Sequence, residues 1–302
     1  MASMFDQIAG NKRESLLLVF VFVAMIGAVG YVFGLYLNLG EYSFAPVTIA
    51  AAIALLMAWG SYYYSDKIVL SMSAAKPVTK EAEPYLWNTV EGLAIAAGLP
   101  MPRPYIIEDS APNAFATGRD PRHAAIAVTR GLLDKLNRLE LEGVIGHEMA
   151  HIQNYDIRFM TLVVVLVGTI VLLSDGMMRT LWWGGGRRRG RSSGGSGAGI
   201  LALIGLVFVI LSPIVAQLMQ LALSRRREFL ADASGAALTR YPEGLASALE
   251  KIAADPERLE VANKATAHLF IWNPLKDHGG RMNAMFSTHP PVEQRVKRLR
   301  EM

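Results

Sequence analysis

Four long apolar runs constrain the fold of this chain more than any other feature. They lie at about 16–39, 44–64, 159–174 and 200–223. A helix needs about 20 apolar residues to cross a bilayer; the first, second and fourth runs reach that length, and the third is short. Because 52% of the residues are hydrophobic and only 19% are charged, we interpret the runs as membrane segments rather than one soluble core.

The first two runs predict an antiparallel transmembrane hairpin. The first is longer than the apolar core of a signal peptide, so we interpret it as a retained anchor. The connection Asn38–Ser43 is too short for any other arrangement of two neighbouring spans. The second run ends in Trp59 and in three tyrosines at 62–64, and such aromatic clusters are typical of a membrane interface.

Two polar segments follow the second and the fourth run. Each is shorter than the usual domain of about 100–150 residues, so we predict that they fold together into one. The predicted organisation has a transmembrane hairpin over 1–64, a first domain part over 65–158, a second hydrophobic hairpin over 159–223 and a second domain part over 224–302. The second hairpin contains an Arg/Gly-rich loop whose composition is typical of disorder.

Within the polar segments, periodicity and turn residues predict a few regular elements. Helices are expected over 80–97, which Gly98 and Pro100 terminate, and over 138–155. Strands are expected over 104–108 and 124–129, with a short candidate strand over 113–118.

The predicted helix over 138–155 contains the sequence His147-Glu148-Met149-Ala150-His151. On a helix, positions i and i+4 share a face, so His147 and His151 can reach one metal ion. Glu148 points to the neighbouring side, where it can hold a water that the metal activates. Imidazoles and a carboxylate favour zinc. The alternative is a solvated helix with two unrelated histidines.

A third ligand is needed for a catalytic zinc site. Glu228 and Asp232 follow the fourth apolar run and share one helix face. We predict Glu228 as the third ligand and Asp232 as the group that orients a ligand imidazole through its distal N–H. The alternative is a solvated carboxylate pair that forms ion pairs with Arg225–Arg227.

Several of these stretches together resemble one protease family. The motif at 147–151, the Glu-Phe-Leu-Ala-Asp stretch at 228–232, Asn113-Ala114-Phe115-Ala116 and Thr288-His289-Pro290-Pro291 resemble the HtpX group of membrane zinc metallopeptidases. These are bacterial relatives of the eukaryotic CAAX prenyl proteases. The resemblance covers nearly the whole chain.

The resemblance implies a site, a cofactor and a setting. His147, His151 and Glu228 would hold one Zn²⁺ per chain, Glu148 would be the catalytic base, and Asp232 would support the ligands. The implied protein is a heat-shock-linked endopeptidase of the bacterial inner (cytoplasmic) membrane that degrades misfolded membrane proteins. Its expected partners are membrane protein substrates and the lipid bilayer, with a link to other membrane proteases and without nucleic acid.

Further residues are predicted to serve the same reaction. The developing oxyanion needs a donor besides zinc, and we predict His289 as that catalytic group with Arg295 in support. The alternative for His289 is a helix-start residue. Asn113, Ala114 and Phe115 are the predicted substrate-binding edge strand, where Asn113 would bond the substrate backbone. The alternative there is an ordinary turn into a buried strand.

Charge distribution predicts which side of the membrane the site faces. Two spans separate the segments that carry His147 and Glu228, so both lie on one side. The segment 65–158 holds 10 Lys or Arg and the Asn38–Ser43 connection holds none, which indicates a cytoplasmic site. The loop 179–199 holds five Arg and conflicts with this topology, unless the third and fourth runs form a shallow hairpin.

The sequence therefore predicts a multi-pass α-helical membrane protein with a cytoplasmic, mostly helical zincin (gluzincin) α+β domain. Continuous helices leaving the bilayer would place the zinc about 10 Å above it. Polar neighbours such as Glu140 and Asn154 predict an amphipathic motif helix outside the bilayer. The expected function is a zinc-dependent quality-control endopeptidase under heat or envelope stress. The alternatives are a specific CAAX-type processing protease and a non-catalytic, zinc-retaining membrane scaffold.

Overall fold

The computed structural model describes residues 4–36, 45–166, 225–261, 266–272 and 290–302. Its helices are α1 (Met4–Tyr36), α2 (Ala45–Met72), α3 (Pro84–Ala97), α4 (Arg130–Lys135), α5 (Arg138–Gln153), α6 (Arg225–Thr239), α7 (Pro242–Ala254) and α8 (Val292–Arg300). Its strands are β1 (Lys76–Pro77), β2 (Arg103–Ile107), β3 (Ala114–Thr117) and β4 (Ala125–Thr129). The fourth apolar run, the second half of the third and the Arg/Gly-rich loop lie outside the described residues.

The four strands form one small sheet in the order β1-β2-β4-β3. Strand β4 runs parallel to β2 and antiparallel to β3, so β3 lies at an edge of the sheet among the described residues. The three strands that the sequence predicted are confirmed as β2, β3 and β4. The two residues of β1 were not predicted, because so short a strand leaves no alternating pattern to detect.

Helix α5 is the central element of the domain. It begins with a capping box: the Asn137 side chain accepts a hydrogen bond from the backbone N–H of Glu140, and the Glu140 side chain accepts one from the backbone N–H of Asn137. Its residues from Leu141 to Ile152 are buried except Glu142, and they pack against α3, α6, α7 and β3. A helix buried on all sides holds its side chains rigidly, which suits a site that needs fixed ligands.

The two polar segments share one hydrophobic core. It includes buried residues from α3, β4, α5, α7 and α8, among them Leu86, Val90, Ile126, Val144, Ile145, Leu245, Leu249 and Val296. The C-terminal part therefore covers the same helix that the N-terminal part places at the centre. The domain boundaries drawn from the sequence stay predictions.

A second cluster joins the apolar helices to each other. Leu18 and Phe22 of α1, Ala54 of α2 and Phe159 and Val163 of the helical residues 156–166 are buried together. Part of α2, Val47–Met72, is long and apolar enough to cross a membrane, with 17% of its most apolar window buried. Within the described ranges it is the one helix that meets this test.

The helix that carries the motif does not continue straight towards the third apolar run. Helix α5 ends at Gln153, Tyr155 has a φ of 61°, and a new helical segment begins at residue 156. The estimate of about 10 Å between metal and bilayer assumed continuous helices. That premise is wrong on this side of the site, because the left-handed residue turns the chain.

Helices α5 and α6 approach each other at Gly235. A Cβ at this position would lie 2.8 Å from the backbone nitrogen of His147, a distance that backbone atoms must move to relieve. We therefore expect Gly235→Ala to lower the free energy of unfolding by about 1–3 kcal/mol and to weaken zinc binding, because it pushes Glu228 away from the histidines. Chemical denaturation and zinc competition measure the two effects.

Gly92→Ala is the matched control. Gly92 is an exposed residue of α3, and a methyl group added at its Cα would meet nothing within 4 Å. Alanine is expected to raise stability there by about 0.5–1 kcal/mol through helix propensity. Equal effects of the two substitutions would refute the close approach of α5 and α6.

Candidate metal centre

Three buried side chains from two helices converge on one point. His147 and His151 lie one turn apart on α5, and Glu228 lies in the first turn of α6. The Nε2 atoms of the two histidines are 3.1 Å apart. The Glu228 carboxylate oxygens lie 3.8 Å from Nε2 of His147 and 3.6 Å from Nε2 of His151. The three residues that the sequence predicted as ligands are thus brought together.

This donor set fits a tetrahedral metal ion. Ligand atoms about 2.0–2.1 Å from a tetrahedral zinc are about 3.3 Å from one another. The observed separations of 3.1, 3.6 and 3.8 Å bracket that value. Two neutral imidazoles and a carboxylate are the donors of a catalytic zinc site, which leaves its fourth position to water or substrate.

Asp232 and Arg295 lie behind His147. An Asp232 oxygen lies 2.9 Å from Nδ1 of His147, so the carboxylate can accept the distal N–H while Nε2 faces the metal position. The fully buried Arg295 donates two hydrogen bonds to Asp232, at 2.9 and 2.7 Å, and one to the carbonyl of Ile271. The Arg295 guanidinium also lies 3.5 Å from a Glu228 oxygen, so it contacts both carboxylates of α6, which agrees with the predicted supporting role.

Asp156 is a residue of the site that the sequence analysis missed. It is 1% exposed, and its Oδ2 lies 2.9 Å from Nδ1 of His151. Each histidine thus has its own carboxylate on the side away from the metal position. A carboxylate five residues after the second histidine is a weak sequence signal, because an unbroken helix would carry it to another face.

Glu148 lies beside the ligands and is 2% exposed. Burial and the neighbouring negative charge of Glu228 raise its pKa to about 7, although His151 and a hydrogen bond from the backbone N–H of Ala116 act in the opposite direction. A carboxylate with a pKa near neutrality can both accept and return a proton at physiological pH. This is the property that the predicted catalytic base requires.

The two histidines differ in their affinity for protons. Burial lowers the pKa of His147 to about 4, so this ring is neutral and ready to bind a metal. Burial also disfavours the charged form of His151, but the hydrogen bond with Asp156 and the charges of Glu228 and Asp156 outweigh it and raise the pKa to about 9. Below that pH, an incoming metal ion must displace the proton of His151.

Zinc affinity should therefore depend on pH with a defined sign. Since the protonated form of His151 predominates below its pKa of about 9, we expect the affinity to rise about tenfold per pH unit between pH 7.5 and 8.5 and to level off near pH 9. Chelator competition at several pH values measures this slope. An affinity independent of pH over that range would contradict the assignment of His151 as a ligand that is protonated before the metal binds.

The predicted substrate-binding residues lie at the edge of the sheet. The Asn113 side chain is buried and bonds the backbone of Trp272, accepting from its N–H and donating to its carbonyl. The N–H of Ile271 donates to the carbonyl of Ala114. The Phe115 ring packs edge-on against Phe270 at 5.0 Å. Residues 270–272 thus lie beside the start of β3, and the part of β3 nearest Glu148 is at Ala116.

His289 lies outside the described residues, so its predicted role stays a prediction. The described chain resumes at Pro290, just before α8, which carries Arg295.

Comparison with known proteins gives a consistent result. The family model of peptidase family M48 matches residues 80–302. The chain is 47% identical over 298 residues to a protease HtpX homolog of Dictyoglomus thermophilum, covering 99% of this chain and 94% of the relative. It is 45% identical over 311 residues to the protease HtpX homolog of Listeria monocytogenes serovar 1/2a, covering 99% and 100%.

One solved structure supports the fold. The crystal structure of S. mikatae Ste24p superposes with a TM-score of 0.51 at 19% sequence identity, covering 98% of this chain and 67% of that chain. At this identity the likeness concerns the fold alone. About a third of the larger protein has no counterpart here.

Proposed function

Because this chain belongs to the HtpX proteases of peptidase family M48, and is therefore a metalloprotease, we propose that it is a zinc-dependent endopeptidase that cleaves misfolded or damaged membrane proteins. The observation that carries the proposal is the convergence of His147, His151 and Glu228 beside a buried carboxylate, Glu148. A site that held zinc for structure alone would close its fourth position with a protein ligand and would have no need of a base.

The residues of the chain divide the chemistry among them. A zinc ion held by His147, His151 and Glu228 would supply an activated water and a polarised scissile carbonyl. Glu148 accepts the proton of the attacking water and delivers it to the leaving amine. Asp232 and Asp156 hold the two imidazoles in the tautomer that presents Nε2.

Substrate is proposed to bind along β3 as an added strand. In the antiparallel pairing of β3 with β4, the backbone groups of Ala114 and Ala116 face away from β4. The Ala114 carbonyl already accepts the N–H of Ile271, so an extended peptide is proposed to pair at Ala116. There it passes Glu148, because the N–H of Ala116 donates to that carboxylate. Asn113 then acts by fastening residues 270–272 beside the strand rather than by reaching the substrate itself.

The membrane setting is part of the proposal. Charged and aromatic side chains stack where α2, the β3–β4 connection and the start of the third apolar run meet, at Tyr62, Tyr63, Arg119 and Arg158. Such amphipathic pairs suit a membrane–water interface. We propose a multi-pass protein of the bacterial inner membrane, with the site on the cytoplasmic side and a role in quality control under heat or envelope stress.

A paired substrate tests the quality-control role. The protein is reconstituted in vesicles with one membrane protein in two forms, a stable parent and a variant destabilised by a core substitution, and cleavage is followed by gel and mass spectrometry. We expect the destabilised form to be cut at least about tenfold faster, because a folded chain must open locally before an extended segment can reach the site. Glu148→Gln protein is the control for contaminating proteases.

Two results would contradict the role. Equal rates for both forms would show that misfolding is not what the enzyme selects. Cleavage restricted to a prenylated C-terminal peptide would favour the CAAX-type processing protease instead.

A further inference from the structure

The Asp156 carboxylate connects the metal centre to the N-terminal helix α1. Its Oδ2 lies 2.9 Å from Nδ1 of His151, and its Oδ1 accepts a hydrogen bond of 2.6 Å from Nδ2 of Asn11, which belongs to α1. Asp156 is 1% exposed and Asn11 is 6% exposed. The contact joins residues 145 positions apart in the chain.

Asn11 holds three parts of the chain at once. Besides Asp156, its side-chain nitrogen donates to the carbonyl of Asn154 at 2.7 Å, where α5 ends. Its Oδ1 accepts from Nε of Arg227 at 3.1 Å, and Arg227 directly precedes Glu228 on α6. A single amide therefore bonds the end of the histidine helix and the start of the helix that carries the third ligand. Only a side chain with both a donor and an acceptor can do this.

We propose that Asn11 and Asp156 are positioning residues of the metal centre, so that α1 supports the geometry of the site through Asn11, Asp156 and His151. The proposal rests on the zinc site proposed above. A ligand imidazole is oriented by the partner of its other nitrogen, and losing such partners typically weakens metal binding about 10- to 100-fold. Asp156 can serve His151 only while its own orientation is held, and Asn11 holds it.

The backbone explains why Asp156 reaches His151. Tyr155 has a φ of 61°, in the left-handed region, so the chain turns between α5 and the next helical segment. This turn brings Asp156 back beneath His151. Arg227 lies 3.5 Å from Oδ1 of Asp156 and balances the buried negative charge.

Zinc affinity and the cobalt spectrum test the proposal on the full-length, detergent-purified protein. Asp156→Asn keeps the shape, but its amide can donate to Nδ1 and favour the wrong tautomer of His151. We expect it to weaken zinc binding about 10- to 100-fold in chelator competition and to shift the visible absorption of the cobalt-substituted protein. Asn11→Leu removes both the hydrogen-bond donor and the acceptor of the amide. We expect it to lose less zinc affinity than Asp156→Asn and to shift the cobalt spectrum in the same direction.

Ser15→Ala is the matched control on α1. Ser15 is buried one turn from Asn11, and its hydroxyl donates to the Asn11 carbonyl within the helix. This variant should match the wild type in zinc affinity and in the cobalt spectrum. Thermal unfolding without metal shows whether each variant folds. If Asp156→Asn does not fold, the comparison of Asn11→Leu with Ser15→Ala tests the proposal instead.

The outcomes separate this proposal from the metal centre itself. Wild-type zinc affinity and an unchanged cobalt spectrum in Asp156→Asn would overturn the role of Asp156. Identical behaviour of Asn11→Leu and Ser15→Ala would overturn the role of α1. A wild-type protein that binds no zinc would refute the zinc site and this proposal together.

Discussion

Glu148→Gln is expected to reduce peptide-bond cleavage about 10²- to 10⁴-fold while zinc stays bound. The amide keeps the size of the side chain but cannot accept the proton of the attacking water, and general acid–base catalysis contributes about that factor. The ligands His147, His151 and Glu228 are untouched, so zinc content should equal that of the wild type. Turnover of an unfolded casein-like substrate, with zinc measured by elemental analysis, gives both values.

The matched control for this variant is Glu142→Gln. Glu142 lies on the same helix, half-buried, and pairs with Arg138. We expect activity within about twofold of the wild type, since an ion pair at the protein surface contributes little. Full activity in Glu148→Gln would show that another group takes the proton. Loss of zinc in that variant would show that Glu148 is needed to build the site.

Arg295→Met is expected to lower the free energy of unfolding by about 3–5 kcal/mol. Both partners are buried, and removing the guanidinium leaves the Asp232 carboxylate without its balancing charge. Although burial acts in the opposite direction, Arg295 and His147 hold the pKa of Asp232 below its usual value, so the stabilisation is present near neutral pH and is lost as the pH falls. Urea unfolding of metal-free protein measures the change.

A double variant separates charge balance from metal positioning. Asp232→Asn combined with Arg295→Met should recover part of the lost stability, because the Asp232 charge is removed together with its partner and only the weaker contact of Arg295 with Glu228, at 3.5 Å, is lost. Zinc affinity should stay reduced, because the amide no longer orients His147. Lys297→Met on the same helix is the control. Its side chain is exposed, and within the described ranges its one ion pair is with Glu301, at 3.9 Å. A single Arg295→Met variant as stable as this control would contradict the account of the buried pair.

The parts of the fold that local sequence determines were predicted well. Strands β2 to β4 and helix α5 lie close to their predicted positions, because β-branched runs, glycine and proline punctuation and the cap at Asn137 act over a few residues. The spacing of His147, Glu148 and His151 places them on a helix whatever surrounds it. Glu228 was predicted because a catalytic zinc site needs a third ligand, and the structure places it beside the two histidines.

Contacts between distant parts of the chain could not be predicted in this way. Glu140 was one of the polar residues that predicted an amphipathic motif helix, but it is 3% exposed, accepts hydrogen bonds from Ser247 and Lys251 and caps α5. The hydrogen bond between Asp156 and Asn11 depends on the left-handed conformation of Tyr155, which the residue type does not predict. Burial of a charged group is decided by its partners, and those partners come from elsewhere in the chain.

Zinc titration of chelator-stripped protein tests the central claim most directly. Bound zinc and cleavage of an unfolded protein substrate are measured on the same samples as zinc is restored. We predict that both rise together and saturate at one zinc per chain, and that Glu148→Gln binds the same zinc without cleavage. Cleavage that survives stripping, or stoichiometric zinc without cleavage in the wild type, would contradict the assignment of this site as the centre of a zinc peptidase.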